Sequence, residues 1–250
     1  MLKQKLEVGY SRYNMKIQYI LHADFERPGI LEVWAEENHY EQRFCRPFRG
    51  EKLLSLDPFD LLILMGGPQS PLEIEKDPYL NEEIGLIRRA INRKMPVLGF
   101  CLGAQLIGEA LGAKTERGPH KEVGVFPIQL TQEGIKDPLF EGTAHQFPVV
   151  HWHSDMPGLT REAKVLAYSE GCPRQVIRYV PSVYGFQCHP EPMRANIEAM
   201  IAHCPDDLAP GKFVQSAKAL LTHDFDSINQ VMIRFINLFV ARFTPNPLLL

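Results

Sequence analysis

Residues 95–112 read MPVLGFCLGAQLIGEALG, a segment whose pattern changes halfway along. The apolar run Val97–Phe100 predicts a short buried strand. From Gly103 the apolar residues recur at helical spacing, and Gly112 is a natural helix stop. The segment therefore predicts a strand that turns sharply into a helix, with Cys101 at the corner.

Cys101 stands in a Gly-x-Cys-x-Gly pattern with Gly99 and Gly103. This is the pattern of a nucleophile elbow with sulfur in place of oxygen, whose glycines allow a turn in which side chains would clash. We expect the corner to push the thiol into solvent, and the positive end of the following helix to favour the reactive thiolate. A lone cysteine here would be better explained as a buried core residue beside a glycine-rich turn, but the flanking glycines and residues elsewhere in the chain favour the nucleophile.

A second informative segment, residues 185–191, reads GFQCHPE. At the end of a strand, His189 and Glu191 face the same side and Cys188 points away, because side chains two apart share a face. In this interpretation His189 takes the thiol proton and later protonates a leaving amine, while Glu191 holds the imidazole. An α/β-hydrolase places its acid before the histidine, so the order nucleophile, histidine, acid argues against that class.

The composition excludes several other classes of protein. The 250 residues are 45% hydrophobic and 23% charged with a formal net charge of -3, which is typical of a soluble globular protein and indicates neither a nucleic-acid nor a membrane partner. No signal peptide or membrane span is predicted. The five cysteines are scattered and contain no Cys-x-x-Cys pair, so we expect neither disulfides nor a zinc site. This use of cysteine predicts a cytoplasmic location.

Alternating strands and helices predict a doubly wound, mostly parallel sheet whose sites lie at the carboxyl ends of the strands. Between residues 123 and 183, short strand-like pieces at residues 125–130, 147–152, 165–168 and 176–179 predict a partly antiparallel insertion. The chain then returns to a strand at residues 184–188. The tail predicts an amphipathic helix over residues 227–243, capped by Asp226, which packs on the domain rather than on a second copy. The other predicted elements are strands at residues 16–21, 40–44 and 60–65, a helix at residues 28–38, and a helix that begins at its cap, Asn81.

Three motifs together resemble the class I, triad-type, glutamine amidotransferase family, in particular the glutaminase domain of GMP synthase. They are GGPQS at residues 66–70, GFCLGAQ at residues 99–105 and GFQCHPE at residues 185–191. Their order and spacing match the family over residues 15–202. The resemblance implies an α/β three-layer sandwich with a flavodoxin-like sheet, a small partly antiparallel insertion and a C-terminal helical tail.

The resemblance also assigns roles to individual residues. It implies that Cys101, His189 and Glu191 form a catalytic triad and that the backbone amides of Gly67 and Leu102 form the oxyanion hole. Amides at a glycine turn and at a helix start are unpaired donors, which suits them to a developing negative charge.

Other matches to the family concern Gln105 and two short segments. Gln105 resembles a glutamine that helps to hold the substrate, the alternative being a helix residue on the solvent face. His151 and His153 lie in HWHSD, which resembles a strand end near the active-site rim, and Glu122 begins the family-like EVG. Because the sequence shows no cysteine or carboxylate cluster beside the histidines, a structural role is favoured over a metal site. We expect no metal and no cofactor.

The resemblance implies cleavage of the γ-carboxamide of glutamine through a thioester on Cys101, with release of ammonia. No ATP-binding Gly-x-x-x-x-Gly-Lys loop follows, so a separate synthetase subunit is the expected ammonia acceptor. A stand-alone γ-glutamyl peptidase would use the same thioester and stays open, while a non-catalytic regulatory subunit is disfavoured by the intact triad. The expected organisation is a lead-in over residues 1–14, an amidotransferase-like domain over residues 15–205 and a helical extension over residues 206–250.

Overall fold

The computed structural model of the protein describes residues 14–244. The predicted lead-in lies outside the described residues except for Asn14, and so does the end of the tail from residue 245. The strands are β1 (Lys16–Ile20), β2 (Glu41–Cys45), β3 (Leu61–Leu64), β4 (Val97–Phe100), β5 (Glu116–Leu130), β6 (Gln146–Met156), β7 (Lys164–Tyr168), β8 (Val176–Val180), β9 (Val183–Phe186) and β10 (Phe213–Val214). The α-helices are α1 (Ile30–Glu37), α2 (Leu80–Asn92), α3 (Leu102–Ala110), α4 (Gln132–Lys136), α5 (Arg194–His203), α6 (Ala217–Leu220) and α7 (Phe225–Phe243).

Within residues 14–244 the ten strands form one sheet. Five neighbouring strands run parallel in the order β2-β1-β3-β4-β9. This is the flavodoxin-like order 2-1-3-4-5 when β9 is counted as the fifth strand. The predicted doubly wound sheet is therefore confirmed, and the carboxyl ends of β1, β3, β4 and β9 meet at one edge.

The antiparallel part of the sheet is larger than its sequence pattern suggests. Beyond β9 it continues through β8, β7 and β5 to β6, with β10 parallel to β5. β5 is 15 residues long and starts at Glu116, whereas the sequence pattern marks a strand only over residues 125–130. The first six residues of β5 are exposed or half-buried, so backbone pairing with β6 extends the strand where no hydrophobic alternation reveals it.

The core lies on both faces of the parallel strands, which makes three layers. Ile63 packs with α1 and α7 on one face, while Leu62 and Leu64 pack with α2 and α3 on the other. Side chains of alternate strand residues point to opposite faces, so a strand buried on both sides is apolar throughout. The continuous apolar run at residues 61–65 has this physical cause.

Helix α7 packs against the core on the same face of the sheet as α1. Phe235 and Phe239 are buried in the core, and the Phe235 ring meets Phe186 edge to face with ring centroids 4.9 Å apart. Its cap was predicted wrongly, since the Asp224 side chain, not Asp226, accepts from the Ser227 amide at 3.2 Å. In the part of the chain that the structure describes, no helix is long and apolar enough to cross a membrane.

Helix α2 also begins differently from the prediction. It starts at Leu80, one residue before the expected cap Asn81, whose side chain instead donates to the Pro78 carbonyl at 3.2 Å. The turn at Asp77 and Pro78 sets the helix start, because the Leu80 amide bonds to the Asp77 carbonyl. The helix then leads into β4 and the elbow.

Candidate active site

The structure places Cys101 at the corner between β4 and α3, as predicted. Its backbone has φ 48° and ψ -107°, a strained conformation for a residue other than glycine. A Cβ at Gly99 would come within 2.5 Å of the Gly103 carbonyl carbon and oxygen, and one at Gly103 would clash with the Leu64 carbonyl. The two glycines are therefore required by the close approach of backbone to backbone.

The Cys101 thiol is less exposed than the sequence led us to expect. Only 8% of the residue is exposed, and its sulfur donates to the Trp152 carbonyl oxygen at 3.7 Å. Strand β6 covers the corner from the side, which an argument from the local turn does not foresee. The thiol lies in the wall of a cleft of about 250 Å³ that also contains Gly67, Leu102 and Gln105.

His189 and Glu191 lie together, although not at the end of a strand. Strand β9 ends at Phe186, and the chain beyond it is irregular except that His189 pairs with Val150 of β6, through backbone bonds of 2.7 and 3.1 Å. The predicted strand over residues 184–188 is thus wrong at its end, because pairing with β6 replaces pairing within the parallel sheet. The contact between His189 Nδ1 and Glu191 Oε1 is nevertheless formed, at 2.7 Å.

The electrostatic surroundings of His189 favour its charged form. Burial alone would lower the pKa of His189, but the Glu191 carboxylate and the Cys101 sulfur raise this pKa well above its usual value. A Cβ added to Gly66 would lie 3.2 Å from His189 Cε1 and 3.5 Å from Cys101 Cβ, so the two side chains meet over this glycine. With Nδ1 donating to Glu191, Nε2 is the nitrogen that can exchange a proton with the thiol.

The segment that carries Glu191 is held by backbone and side-chain contacts from both ends of the chain. The Ile30 amide at the start of α1 donates to the Glu191 carbonyl at 3.0 Å. From α7, Asn229 Nδ2 donates to the carbonyls of Pro190 and Pro192, each at 3.0 Å. Asn229 is buried, so its two hydrogen bonds satisfy the proline carbonyls where water does not reach them. The tail helix therefore fixes the position of the acid.

Gln187 is a site residue that the sequence reasoning missed. Its Nε2 donates to Cys101 Sγ at 3.3 Å, and its Oε1 accepts from Gln105 Nε2 at 3.0 Å. Gln105 is only 4% exposed and lines the cleft, so the alternative of a solvent-facing helix residue is wrong. The spacing in the sequence could have identified Gln187, because a residue two positions before His189 lies on the same side of an extended chain.

The backbone amides of Gly67 and Leu102 flank the same cleft. Gly67 follows β3, and Leu102 opens α3, where the first amides have no partner within the helix. Neither amide has a hydrogen-bond acceptor among the described residues. Two backbone donors without partners therefore lie in residues that line the same cleft as Cys101.

The cleft also carries charged side chains. Arg117 Nη1 pairs with Asp155 Oδ1 at 2.6 Å, and Lys121 Nζ pairs with Asp207 Oδ1 at 2.6 Å. Glu26, on the loop after β1, lies against Gly66 and has no ion pair within residues 14–244. Burial raises the pKa of Glu26 to about 6, although His189 and His22 oppose the rise. The cleft therefore offers both signs of charge to a zwitterionic ligand.

One expectation about His151 and His153 is wrong. The sequence showed no carboxylate partner for them, yet the structure brings the Glu122 carboxylate to 3.2 Å from His153 Nε2 and 3.6 Å from His151 Nδ1. The pairing of β5 with β6 sets Glu122 opposite His153, a relationship across 31 residues that local patterns do not contain. All three side chains are almost fully buried.

The comparisons with known proteins identify the family of the chain. The family model "Glutamine amidotransferase class-I" matches residues 37–202. A glutamine amidotransferase-like protein of Salmonella typhimurium, YfeJ, is 41% identical over 230 residues, 89% of this chain and 96% of its own. One subunit of the glutamine-hydrolyzing GMP synthase of Methanococcus maripaludis is 38% identical over 104 residues, 41% of this chain and 53% of its own.

A solved structure shows the same fold over most of the chain. The crystal structure of a glutamine amidotransferase from Thermotoga maritima superposes with a TM-score of 0.83 at 26% identity, covering 91% of this chain and 99% of the other. The family model spans the elbow and the segment that carries His189 and Glu191. The chain belongs to the class I glutamine amidotransferase family.

Proposed function

We propose that this protein hydrolyses the γ-carboxamide of glutamine through a thioester on Cys101, releasing ammonia and glutamate. The observation that carries the proposal is the meeting of Cys101 and His189 over Gly66, with Glu191 Oε1 2.7 Å from His189 Nδ1. A nucleophile, a base and a group that orients the base are the requirements of acyl transfer. Family membership supports the same chemistry.

In the first half of the reaction the Cys101 thiolate attacks the Cδ carbonyl carbon of glutamine, and the C=O electron pair moves onto oxygen. The amides of Gly67 and Leu102 meet the resulting negative charge. The C–N bond then breaks, and its electron pair leaves with the nitrogen, which takes a proton from His189 Nε2. Ammonia departs and a γ-glutamyl thioester remains on Cys101.

In the second half water attacks the thioester carbonyl while His189 Nε2 takes a proton from it. A second oxyanion forms against the same two amides and collapses. The C–S bond breaks, its electron pair returns to sulfur, and glutamate leaves. Glu191 keeps the imidazole oriented and stabilises its charged form in both halves.

Two features of the cleft support glutamine as the substrate. Its volume of about 250 Å³ lies below the roughly 300–1,000 Å³ typical of pockets for drug-sized ligands and suits an amino acid. Glu26 and His189 both lie against Gly66, on the side where the leaving nitrogen takes its proton. A γ-glutamyl dipeptide would release an amino acid, whose carboxylate would be repelled by the negative charge of Glu26. Ammonia carries no such negative charge.

A γ-glutamyl peptidase is the second candidate. The observation in its favour is that neither Gly67 nor Leu102 has its amide engaged within residues 14–244, so both donors are available without a partner protein. An enzyme that feeds a synthetase is instead often completed only when that partner binds. The Methanococcus relative is named as one subunit of a GMP synthase, which supports partnership with a separate synthetase subunit in the glutamine case.

The test is steady-state kinetics on the purified chain, comparing ammonia release from glutamine with amine release from γ-glutamyl dipeptides. We expect the higher kcat/KM with glutamine, loss of turnover in Cys101→Ala, and retained turnover in the control Cys45→Ala. A higher kcat/KM with dipeptides would replace the first candidate by the second. Turnover of both substrates that survives in Cys101→Ala would overturn the mechanism.

A further inference from the structure

Glu122, His151 and His153 form a buried group of polar side chains that the proposed reaction does not use. One ligand atom from each, Glu122 Oε2, His151 Nδ1 and His153 Nε2, lies within 4.8 Å of the others. The histidines are two residues apart on β6 and therefore share a face, while β5 sets Glu122 opposite His153. The side chains are at most 1% exposed.

The second ring nitrogen of each histidine is already used as a donor. His151 Nε2 lies 3.3 Å from the Phe126 carbonyl oxygen, and His153 Nδ1 lies 3.2 Å from the Asp155 carbonyl oxygen. A carbonyl oxygen can only accept, so each of these nitrogens carries the proton in a neutral ring. The lone pairs of His151 Nδ1 and His153 Nε2 then point toward the Glu122 carboxylate. Metal-binding histidines have this arrangement, because a backbone carbonyl commonly orients the ring.

The charge balance of the group also calls for a cation. Both Glu122 oxygens accept hydrogen bonds, Oε1 from the Ser169 hydroxyl and Oε2 from Gln175 Nε2, each at 2.7 Å, as an ionised carboxylate does. Among the described residues, Glu122 has ion-pair contacts only with these two histidines, and a buried anion needs a compensating positive charge.

The distances fit a four-coordinate metal ion. Ligand atoms about 2.0–2.1 Å from Zn²⁺ lie roughly 3.3–3.4 Å apart at the corners of a tetrahedron. The Glu122 Oε2 contacts, 3.2 Å to His153 and 3.6 Å to His151, bracket that length. Gln175 Nε2 donates to Glu122 Oε2 at 2.7 Å and to Ser169 Oγ at 2.9 Å and lies 3.3 Å from His153 Nε2, whereas Gln175 Oε1 has no partner among the described residues. Turned by 180°, this amide presents an oxygen to the fourth position.

We infer that Glu122, His151 and His153 bind a structural divalent cation of the zinc class, with Gln175 as the fourth ligand. The proposed metal site takes no part in the proposed reaction, yet strand β6 connects it to the candidate active site. The carbonyl of Trp152, between the two histidines, accepts the bond from the Cys101 thiol, and Val150 pairs with His189. A bound ion would hold β5 to β6 behind both residues and increase the stability of the fold.

The test measures bound metal in Cys101→Ala, so that the thiol cannot bind zinc. The protein is produced with added Zn²⁺, freed of loose metal by dialysis and examined for metal content and thermal unfolding. We expect about one zinc per chain, a lower Tm after removal by a strong chelator, and recovery of both on refolding with Zn²⁺. Glu122→Gln and His153→Gln in the same background should lose the zinc, whereas the exposed control His145→Gln should keep it.

Co²⁺ in place of Zn²⁺ tests the ligand set even if the ligand variants fail to fold. The Cys101→Ala protein refolded with Co²⁺ should show the strong visible bands of four-coordinate cobalt without the sulfur-to-cobalt band of a cysteine ligand. Protein that takes up neither ion, or that keeps its zinc in Glu122→Gln and His153→Gln, would overturn the inference.

Discussion

Gln187 Nε2 donates a hydrogen bond to Cys101 Sγ over 3.3 Å, and the Gln187 side chain is in turn oriented by Gln105, whose Nε2 donates to Gln187 Oε1 over 3.0 Å. The candidate nucleophile is therefore contacted by a side chain from the segment that also carries the candidate base. An amide N–H directed at sulfur favours the thiolate over the thiol, because the negative form accepts the stronger bond.

Replacing Gln187 with Leu should slow alkylation of Cys101 by iodoacetamide at pH 7 about threefold. A hydrogen bond contributes about 1.5 kcal/mol when its acceptor is a negatively charged sulfur, and the greater intrinsic nucleophilicity of a less stabilised sulfur offsets roughly half of that loss. The matched control is Gln18→Leu, since Gln18 is a fully buried glutamine of β1 whose amide has no hydrogen-bond partner within residues 14–244. Equal alkylation rates in Gln187→Leu and the unchanged protein would show that the bond does not activate the thiol.

Replacing Glu191 with Gln should lower the pKa of His189 and reduce kcat/KM about 100-fold. The neutral amide no longer stabilises the imidazolium, and unequal losses among members of a triad are usual. The midpoint of the His189 titration, followed by NMR, should move to lower pH, while the exposed control Glu198→Gln leaves it in place. An unchanged midpoint together with full activity would contradict the assigned role of Glu191.

Replacing Asn229 with Ala should lower kcat about tenfold with a smaller change in KM. Asn229 holds the carbonyls on both sides of Glu191, so its loss frees the acid rather than the substrate pocket. Asn237→Ala is the control on the same helix, because the Asn237 side chain bonds to the Trp34 indole, away from this segment. Equal kinetics in the two variants would mean that α7 does not position Glu191.

Replacing Glu26 with Gln should stabilise the protein at pH 8 by about 1–2 kcal/mol and have no effect at pH 4. The pKa of Glu26 is raised from 4.5 to about 6, so the folded state binds the proton more tightly than the unfolded state. Stability is therefore lost as the pH rises from 4.5 to 6, and the loss is complete above that range. Urea unfolding of both proteins at the two pH values measures the difference, and a benefit of equal size at pH 4 would contradict the charge argument.

Replacing Gly103 with Ala should destabilise the fold by at least about 2 kcal/mol, because a Cβ there clashes with the Leu64 backbone. Gly85→Ala is the matched control in helix α2, where a Cβ would meet only Arg89 Nη1 at 3.5 Å. In the control we expect the free energy of unfolding to rise by up to about 1 kcal/mol, since alanine is more favourable than glycine in a helix interior. Thermal and urea unfolding measure both changes, and similar losses in the two variants would exclude the clash as the cause.

The elbow, the parallel sheet around it and the proximity of His189 to Glu191 could all be predicted from the amino-acid sequence. These features depend on residues close together in the chain: glycines that clear a tight turn, apolar runs that mark strands buried on both faces, and two side chains two positions apart. Whether Cys101, His189 and Glu191 carry out catalysis stays a prediction that the kinetic tests address.

The surroundings of these residues depend instead on contacts between distant parts of the chain. The cover of β6 over the Cys101 thiol, the contact of Gln187 with its sulfur and the bonds from Asn229 to the Glu191 segment each join such distant parts. The same holds for Glu122 and the two histidines, whose meeting depends on the register between β5 and β6. Register is set by the packing of whole strands, and a shift of one residue would turn Glu122 to the opposite face.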